Sequence, residues 1–238
     1  MLSDVQTAAL YAALAGAMIP LGALTALHER IQPAWLEREF RHGVIAFGGG
    51  VLLAAVALVL IPRGMRHLSI GPTLAAFGSG GAFFFLLDRL IEKRGGAAAQ
   101  LMAMLLDYVP EAIALGAMLA SDEAAGMLLA LFIALQNYPE GFNACRELKA
   151  ARDVRPSVIL ASFCLLVPLG PLAAWFGFTC LSAEPRVLAA LMLFSAGGIL
   201  YLIFEDIAPQ AHLDRHWAPP LGAVGGFMLG LLGHGLIA

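Results

Sequence analysis

Charged residues are scarce in this sequence. Asp, Glu, Lys and Arg make up 13% of the 238 residues, whereas apolar residues make up 60% and the mean hydropathy is +0.82. Soluble domains carry about 25% charged and about 45–50% apolar residues, so lipid must cover part of this surface. The net charge of −3 is too mild to indicate a nucleic-acid partner, and no basic patch with interleaved aromatic residues occurs.

Cysteine is equally scarce. Cys145, Cys164 and Cys180 are odd in number and far apart, which excludes a disulfide framework as the basis of the fold. The first six residues lack a basic segment, so we expect no cleavable signal peptide.

Long apolar stretches dominate what is present. A helix crosses the hydrocarbon core with about 20 apolar residues, and clusters of Gly, Pro or charge separate such stretches here. The sequence predicts an all-α polytopic membrane protein of about eight transmembrane helices, with a single transmembrane domain over residues 1–238. The predicted spans are 7–27, 44–61, 72–91, 97–120, 124–148, 158–180, 187–208 and 219–238.

The basic residues indicate an orientation, because cytoplasmic flanks carry an excess of Lys and Arg. Of the 14 basic residues, 11 flank the first, third, fifth and seventh loops. Only Arg63, Arg66 and Arg186 flank the others. We therefore expect both termini outside, in a multi-pass protein of the cell membrane with lipid as a partner.

Two similar pentapeptides place carboxylates in the middle of predicted spans. The fourth span contains Asp107-Tyr-Val-Pro-Glu111, and the fifth contains Gln136-Asn-Tyr-Pro-Glu140. The i, i+4 spacing puts the first and last side chain of each on one helix face. A charged Asp at a helix centre costs about 2.5–3.5 kcal/mol on insertion scales, and such residues are usually functional.

These two spans are joined by the tight turn 121–123, so they are expected to be antiparallel neighbours. Asp107 would then lie level with Glu140, and Glu111 level with Gln136. Three carboxylates cannot all stay charged in an apolar interior without a counter-cation or protons. A bound divalent metal ion is one solution, and protonated carboxyl groups hydrogen-bonded between the helices are the alternative.

The two motifs resemble those of the ZIP family of divalent-metal transporters, whose fourth and fifth helices carry Pro-Glu-Gly sequences. The fifth span keeps the glycine as Gly141, whereas the fourth has Ala112. Weaker similarities run along nearly the whole chain: Asp88-Arg89 in span three, Pro168-Leu-Gly170 in span six, and Tyr201 through Glu205-Asp206 to Pro209 in span seven. The resemblance implies divalent-metal transport by a homodimer, and a divergent bacterial-type member of the inner membrane.

The resemblance also implies a set of metal ligands. The ligands of the family's first metal position map onto Asp107, Glu111, Gln136 and Glu140. Those of the second position map onto Tyr108, Asn137 and Val167, the last of which is usually Glu in bacterial members. An apolar Val cannot coordinate a cation, so we expect one metal ion per chain rather than two.

The identity of the metal follows from the ligand atoms. Carboxylate and amide oxygens favour harder ions, which moves the expectation from zinc towards manganese or ferrous iron, although zinc also accepts carboxylates. Asp88, Glu205 and Asp206 fall near predicted cytoplasmic helix ends, where an exit relay and ordinary interfacial solvation explain them equally well.

Other functions remain open from sequence. We expect no enzyme, because His28-Glu29 is followed by Gln32 and therefore fails the His-Glu-x-x-His pattern of metalloproteases. The alternatives are a non-transporting relative that binds or senses metal, and an intramembrane metal-dependent hydrolase.

Overall fold

The computed structural model describes residues 3–28, 34–92, 97–150, 154–214 and 216–237. Within these residues the chain is almost entirely helical, with one isolated β-bridge between Leu213 and His216 and no strand. In chain order the α-helices are α1 Asp4–His28, α2 Ala34–Ala55, α3 Ile61–Gly64, α4 Ile70–Glu92, α5 Ala97–Ser121, α6 Glu123–Ala150, α7 Pro156–Leu166, α8 Leu169–Phe176, α9 Pro185–Leu202, α10 Ala208–Ala211 and α11 Leu221–Ile237.

In the described ranges, three π-helical turns extend these helices into longer runs. Val56–Leu60 joins α2 to α3, Gly177–Leu181 prolongs α8, and Ile203–Ile207 joins α9 to α10. Such wide turns are often found at functional sites. The third one contains Glu205 and Asp206.

The chain is an all-α polytopic membrane protein. Among the described residues, five helical runs are long and apolar enough to cross a bilayer. They are Asp4–His28, Arg38–Gly64, Ile70–Leu90, Pro156–Leu181 and Pro185–Ala211. The segments Tyr108–Ser121 and Leu221–Leu236 are shorter apolar helices. Eight crossings and the orientation of the termini stay predictions.

The centre of the bundle is formed where α1 packs against α6. Two glycines allow their backbones to touch: a Cβ at Gly22 would overlap the carbonyl oxygen of Tyr138, and one at Gly141 would overlap that of Ile19. Small residues permit this close approach. Helices in lipid associate through such packing, because no hydrophobic force drives them together there. The glycine after the Pro-Glu motif of α6 thus fixes that motif against α1.

Helix α4 lies at the periphery and packs mainly on α9. Large apolar side chains on its outer surface are exposed, among them Leu74 at 64% and Leu86 at 56%. Exposure of this kind is what a lipid-facing helix requires. Glu111 of α5 and Gln136 and Asn137 of α6 are by contrast buried inside the bundle, which positions the candidate site.

Candidate metal centre

Helices α5 and α6 form the hairpin that the sequence predicts. Helix α5 ends at Ser121, α6 begins at Glu123, and Oδ1 of Asp122 accepts a hydrogen bond from the backbone N–H of Ala125 at 3.1 Å. An Asp at this position satisfies one of the unpaired N–H groups of the first turn. Both helices continue through their internal prolines, Pro110 and Pro139.

The hairpin brings Glu111 and Gln136 together in the bundle interior. Nε2 of Gln136 donates to Oε2 of Glu111 at 2.5 Å. Glu111 is 1% exposed and Gln136 is 2% exposed, so the pair is shielded from any solvent. These are the two residues that the antiparallel arrangement is expected to place level.

Gln136 also has an oxygen available for a cation. Its Oε1 is buried and accepts no hydrogen bond from the part of the chain that the structure describes. A buried acceptor without a donor typically costs about 1–3 kcal/mol. A metal ion bound at this oxygen would offset that penalty, so the side chain is suited to act as an amide ligand.

The other two predicted ligands are less fully defined. The side chain of Asp107 lies outside the described residues. Glu140 is partly buried and interacts with other residues; it follows Gln136 by one helical turn, on the same face of α6. Among the described residues, no three His, Cys, Asp or Glu side chains converge on a common point. The four-residue metal site therefore stays a prediction.

Tyr108 and Asn137 are turned towards α1. Oη of Tyr108 donates to the carbonyl oxygen of Ala12 at 2.9 Å, and Nδ2 of Asn137 donates to that of Ala15 at 3.0 Å. Both side chains are buried, at 2% and 0% exposure. These two contacts link the α5–α6 hairpin to α1. The Oδ1 of Asn137, like the Oε1 of Gln136, is buried and accepts no hydrogen bond from the described residues.

Two glycines make room for the Tyr108 ring. A Cβ at Gly16 of α1 or at Gly170 of α8 would overlap the phenol oxygen. Val167, the third residue of the expected lost site, forms the C-terminal end of α7 and is partly buried. An aromatic ring and an apolar side chain thus stand where the resemblance locates a second metal position.

The three residues of the expected exit relay lie in α4 and the third π-turn. Oη of Tyr201 donates to Oδ2 of Asp88 at 3.1 Å, and Nε2 of Gln210 donates to Oδ1 of Asp206 at 2.5 Å. Asp88 and Asp206 are close enough to interact electrostatically. Glu205 is exposed and has interactions of its own.

Sequence reasoning missed one carboxylate near this relay. Glu147 of α6 is partly buried and interacts electrostatically with Asp206 and with Arg41 of α2. The available signal was spacing: Glu147 follows Glu140 by seven residues, two turns along the same helix face. Asn143 lies between them on that face, and its Oδ1 is buried with no partner among the described residues. A polar stripe therefore runs along α6 from Gln136 towards Asp206.

Sequence comparison relates the chain to a plant protein. No family model matches the chain. It is 27% identical over 224 residues to an Arabidopsis thaliana protein named "Putative zinc transporter". The alignment covers 87% of this chain and 35% of the relative, so the chain spans about a third of the length of that protein.

Proposed function

We propose that this chain transports divalent metal cations across a membrane, as a relative of the ZIP family, through a single midmembrane site. The ligands would be Asp107, Glu111, Gln136 and Glu140. The observation that carries the proposal is the buried contact between Glu111 and Gln136, together with the amide oxygen of Gln136, which accepts no hydrogen bond from the described residues. The similarity to a protein named as a zinc transporter supports the same class of cargo.

The ligand chemistry determines which ions to expect. Carboxylate and amide oxygens suit manganese and ferrous iron, and they are also acceptable to zinc. We therefore propose a metal of this class as substrate and expect manganese or ferrous iron to be preferred. A bound cation would stabilise these carboxylates, because buried carboxylates in a low-dielectric interior are strongly destabilised when their charge is uncompensated.

The proposed route continues along α6 to the acidic residues at the other end of the bundle. Asn143 and Glu147 offer oxygens beyond Glu140, and Asp206, Asp88 and Glu205 form the relay that hands the ion to water. We propose that this end faces the cytoplasm of a bacterial cell, and that two copies of the chain associate in the inner membrane. Cross-linking in native membranes tests the association.

Uptake into proteoliposomes tests the function. The purified protein is reconstituted and supplied in parallel with Mn²⁺, Fe²⁺, Zn²⁺, Mg²⁺ and Ca²⁺, with empty liposomes as the baseline. We expect saturable uptake of at least one of the first three ions. Glu140→Ala should abolish both this uptake and binding in calorimetry, because it removes a charged ligand from the centre of the bundle.

The same measurements separate the alternatives. Binding without uptake would identify a metal-binding or sensing protein and overturn transport. Wild-type affinity in Glu140→Ala would overturn the ligand assignment. If the protein shows neither binding nor uptake, the result favours carboxyl groups that are protonated and hydrogen-bonded between the helices.

A further inference from the structure

We infer that Asn143 of α6 supplies the next oxygen that the ion meets after Glu140, and that its lack of charge lets the ion pass without being retained. The inference rests on the proposed function and deepens it, because it assigns a rate-setting role to a residue outside the four proposed ligands. An Asn side chain has no charge, so it can bind a cation only through its amide oxygen.

Helix geometry places Asn143 beside the proposed site. It follows Glu140 by three residues of the same helix, and side chains at this spacing lie about 5–6 Å apart at their Cβ atoms. It also follows Gln136 by seven residues, which is two turns on the same face. The hydrogen bond from Gln136 to Glu111 shows that this face of α6 is turned towards α5. An ion that leaves Glu140 towards the end of α6 therefore meets Asn143 first.

The amide oxygen of Asn143 is available to a cation. Its Oδ1 is buried and accepts no hydrogen bond within the described part of the chain. The other two amides of α6 are anchored, since Gln136 donates to Glu111 and Asn137 donates to the carbonyl oxygen of Ala15. A buried acceptor without a donor is destabilising. A cation that passes along this face would compensate Oδ1 for the missing donor.

Burial along α6 distinguishes this face from the others. Glu140, Asn143 and Glu147 are only partly buried, and they recur at a spacing of three and four residues. Residues 141–142 and 144–145, which point in other directions, are fully buried. The accessible face of α6 beyond Gln136 is therefore also its polar face, as a route for an ion requires.

The neighbouring side chains of α6 are engaged in packing. The ring of Phe142 meets that of Phe40 of α2 edge to face, at 6.4 Å between centroids. The guanidinium of Arg146 lies over the Phe142 ring, 5.8 Å from its centroid. These contacts hold α6 against α2, so the face of Asn143 is the one that remains for the ion.

The charge at position 143 determines how firmly the ion is held. A conducting site must bind an ion well enough to admit it and weakly enough to release it. A neutral amide attracts a divalent cation less than a carboxylate does, because it carries no net charge. A carboxylate at this position should therefore retain the ion, whereas loss of the oxygen should leave a gap in the route between Glu140 and Glu147.

Substitutions of nearly equal size separate these two effects. Asn143→Leu removes the oxygen, so the maximal rate of Mn²⁺ or Zn²⁺ uptake into proteoliposomes should fall by about tenfold, while the Kd from calorimetry stays near the wild-type value. Asn143→Asp adds a charge, so both the Kd and the maximal rate should fall by about tenfold or more, because the ion binds tightly and leaves slowly. Asn143→Gln keeps the amide and should retain most of the uptake.

Ser121→Asp is the matched control for an added charge. Ser121 is exposed at the end of α5, where water screens a carboxylate, so the Kd and the uptake rate should match those of the wild type. Thermal unfolding in detergent shows whether each variant is folded. A purely structural role of Asn143 would lower the rate in the Leu and Asp variants alike without tightening binding in the Asp variant, and would overturn the inference.

Wild-type uptake by a folded Asn143→Leu variant would also contradict the inference. So would an Asn143→Asp variant that binds the ion no more tightly than the wild type. The proposed function fails separately, if the wild-type protein takes up none of the ions. In that case the calorimetric comparison of Asn143→Asp with the wild type still decides whether residue 143 lies beside a bound cation.

Discussion

Two pairs of residues on α5 and α6 lie a few positions apart and have opposite surroundings. Glu111 and Gln136 face each other inside the hairpin, and within the described part of the chain the oxygen of Gln136 has no donor. Tyr108 and Asn137 face away, and each donates to a backbone carbonyl of α1. The first pair combines a carboxylate with an amide, as the proposed cation site requires, whereas the second pair contains no carboxylate and links the hairpin to a neighbouring helix.

Helix geometry explains how adjacent residues come to differ. Successive residues of an α-helix point about 100° apart, so Gln136 and Asn137 cannot share a direction. Whether the side chain of Asn137 meets a metal ion or a hydrogen-bond acceptor depends on the groups of α1 and α8 that face it. In this chain they present carbonyl groups and the glycines that admit the Tyr108 ring.

The largest effect should come from the first pair. Glu111→Gln keeps the shape of the side chain and removes its charge, so a divalent cation loses a buried anionic ligand. We expect uptake to fall by more than the roughly 10–100-fold typical for residues that only support a metal ligand. Proteoliposome uptake measures this loss, and Glu123→Gln, an exposed carboxylate of the same hairpin, is the matched control.

An uptake rate close to the wild-type value in Glu111→Gln would contradict this assignment. It would mean that the buried contact with Gln136 serves folding alone. Thermal unfolding of the same variant in detergent separates the two cases, because a purely structural pair would show its loss there.

Counting the bound ions tests whether the position of Tyr108 and Asn137 holds a second metal ion. We expect one transport-site metal per chain, since two divalent ions about 4 Å apart repel each other with roughly four times the 4 kcal/mol that unit charges experience at an effective dielectric constant of 20. Further carboxylates are needed to offset that repulsion. Combining Asn137→Asp and Val167→Glu with Tyr108→Asn supplies them and removes the obstructing ring, so this variant should bind two ions.

Anomalous scattering from metal-soaked crystals counts the ions directly. The double variant Asn137→Asp with Val167→Glu is the control for the ring, because it adds the acids and leaves Tyr108 in place. Two adjacent ions in the unmodified protein would show that the second position is intact.

The sequence was sufficient to predict the hairpin and the approach of Glu111 to Gln136, because both follow from a tight turn and local i, i+4 spacing. It did not show that Tyr108 and Asn137 contact α1, since both contacts join distant parts of the chain, and that of Tyr108 also depends on Gly16 and Gly170. The π-turn around Asp206 was also missed, because no residue pattern near it specifies the wider register. Glu147 was not singled out within the fifth span, although its spacing from Glu140 indicated a shared face.

A smaller effect is expected when the link between Tyr108 and α1 is removed. Tyr108→Phe deletes the hydrogen bond to Ala12 and should lower the free energy of unfolding by about 1 kcal/mol. Tyr108→Ala also leaves a cavity, so it should lower it by about 3–5 kcal/mol. Thermal unfolding in detergent measures both, and uptake by the Phe variant should stay near the wild-type rate. A large loss of uptake in that variant would mean that the phenol oxygen takes part in transport.

The smallest effect should come from the turn that closes the hairpin. A solvent-exposed ion pair is located at this turn. Asp122 lies 2.9 Å from Arg63, and the two side chains are 42% and 27% exposed. The backbone N–H of Ala125, together with Arg63, holds the pKa of Asp122 below its usual value of 3.8. A lowered pKa stabilises the folded state at pH values above the ordinary pKa of the carboxyl group, and the stabilisation disappears as the pH falls through the folded-state pKa.

Because water screens exposed pairs, Asp122→Asn should lower the free energy of unfolding by only about 0.2–1 kcal/mol at neutral pH, and the difference from the wild type should shrink in acid. Unfolding midpoints of both proteins between pH 7 and pH 3 test this, and a difference that grows in acid would show that Asp122 is not the group responsible.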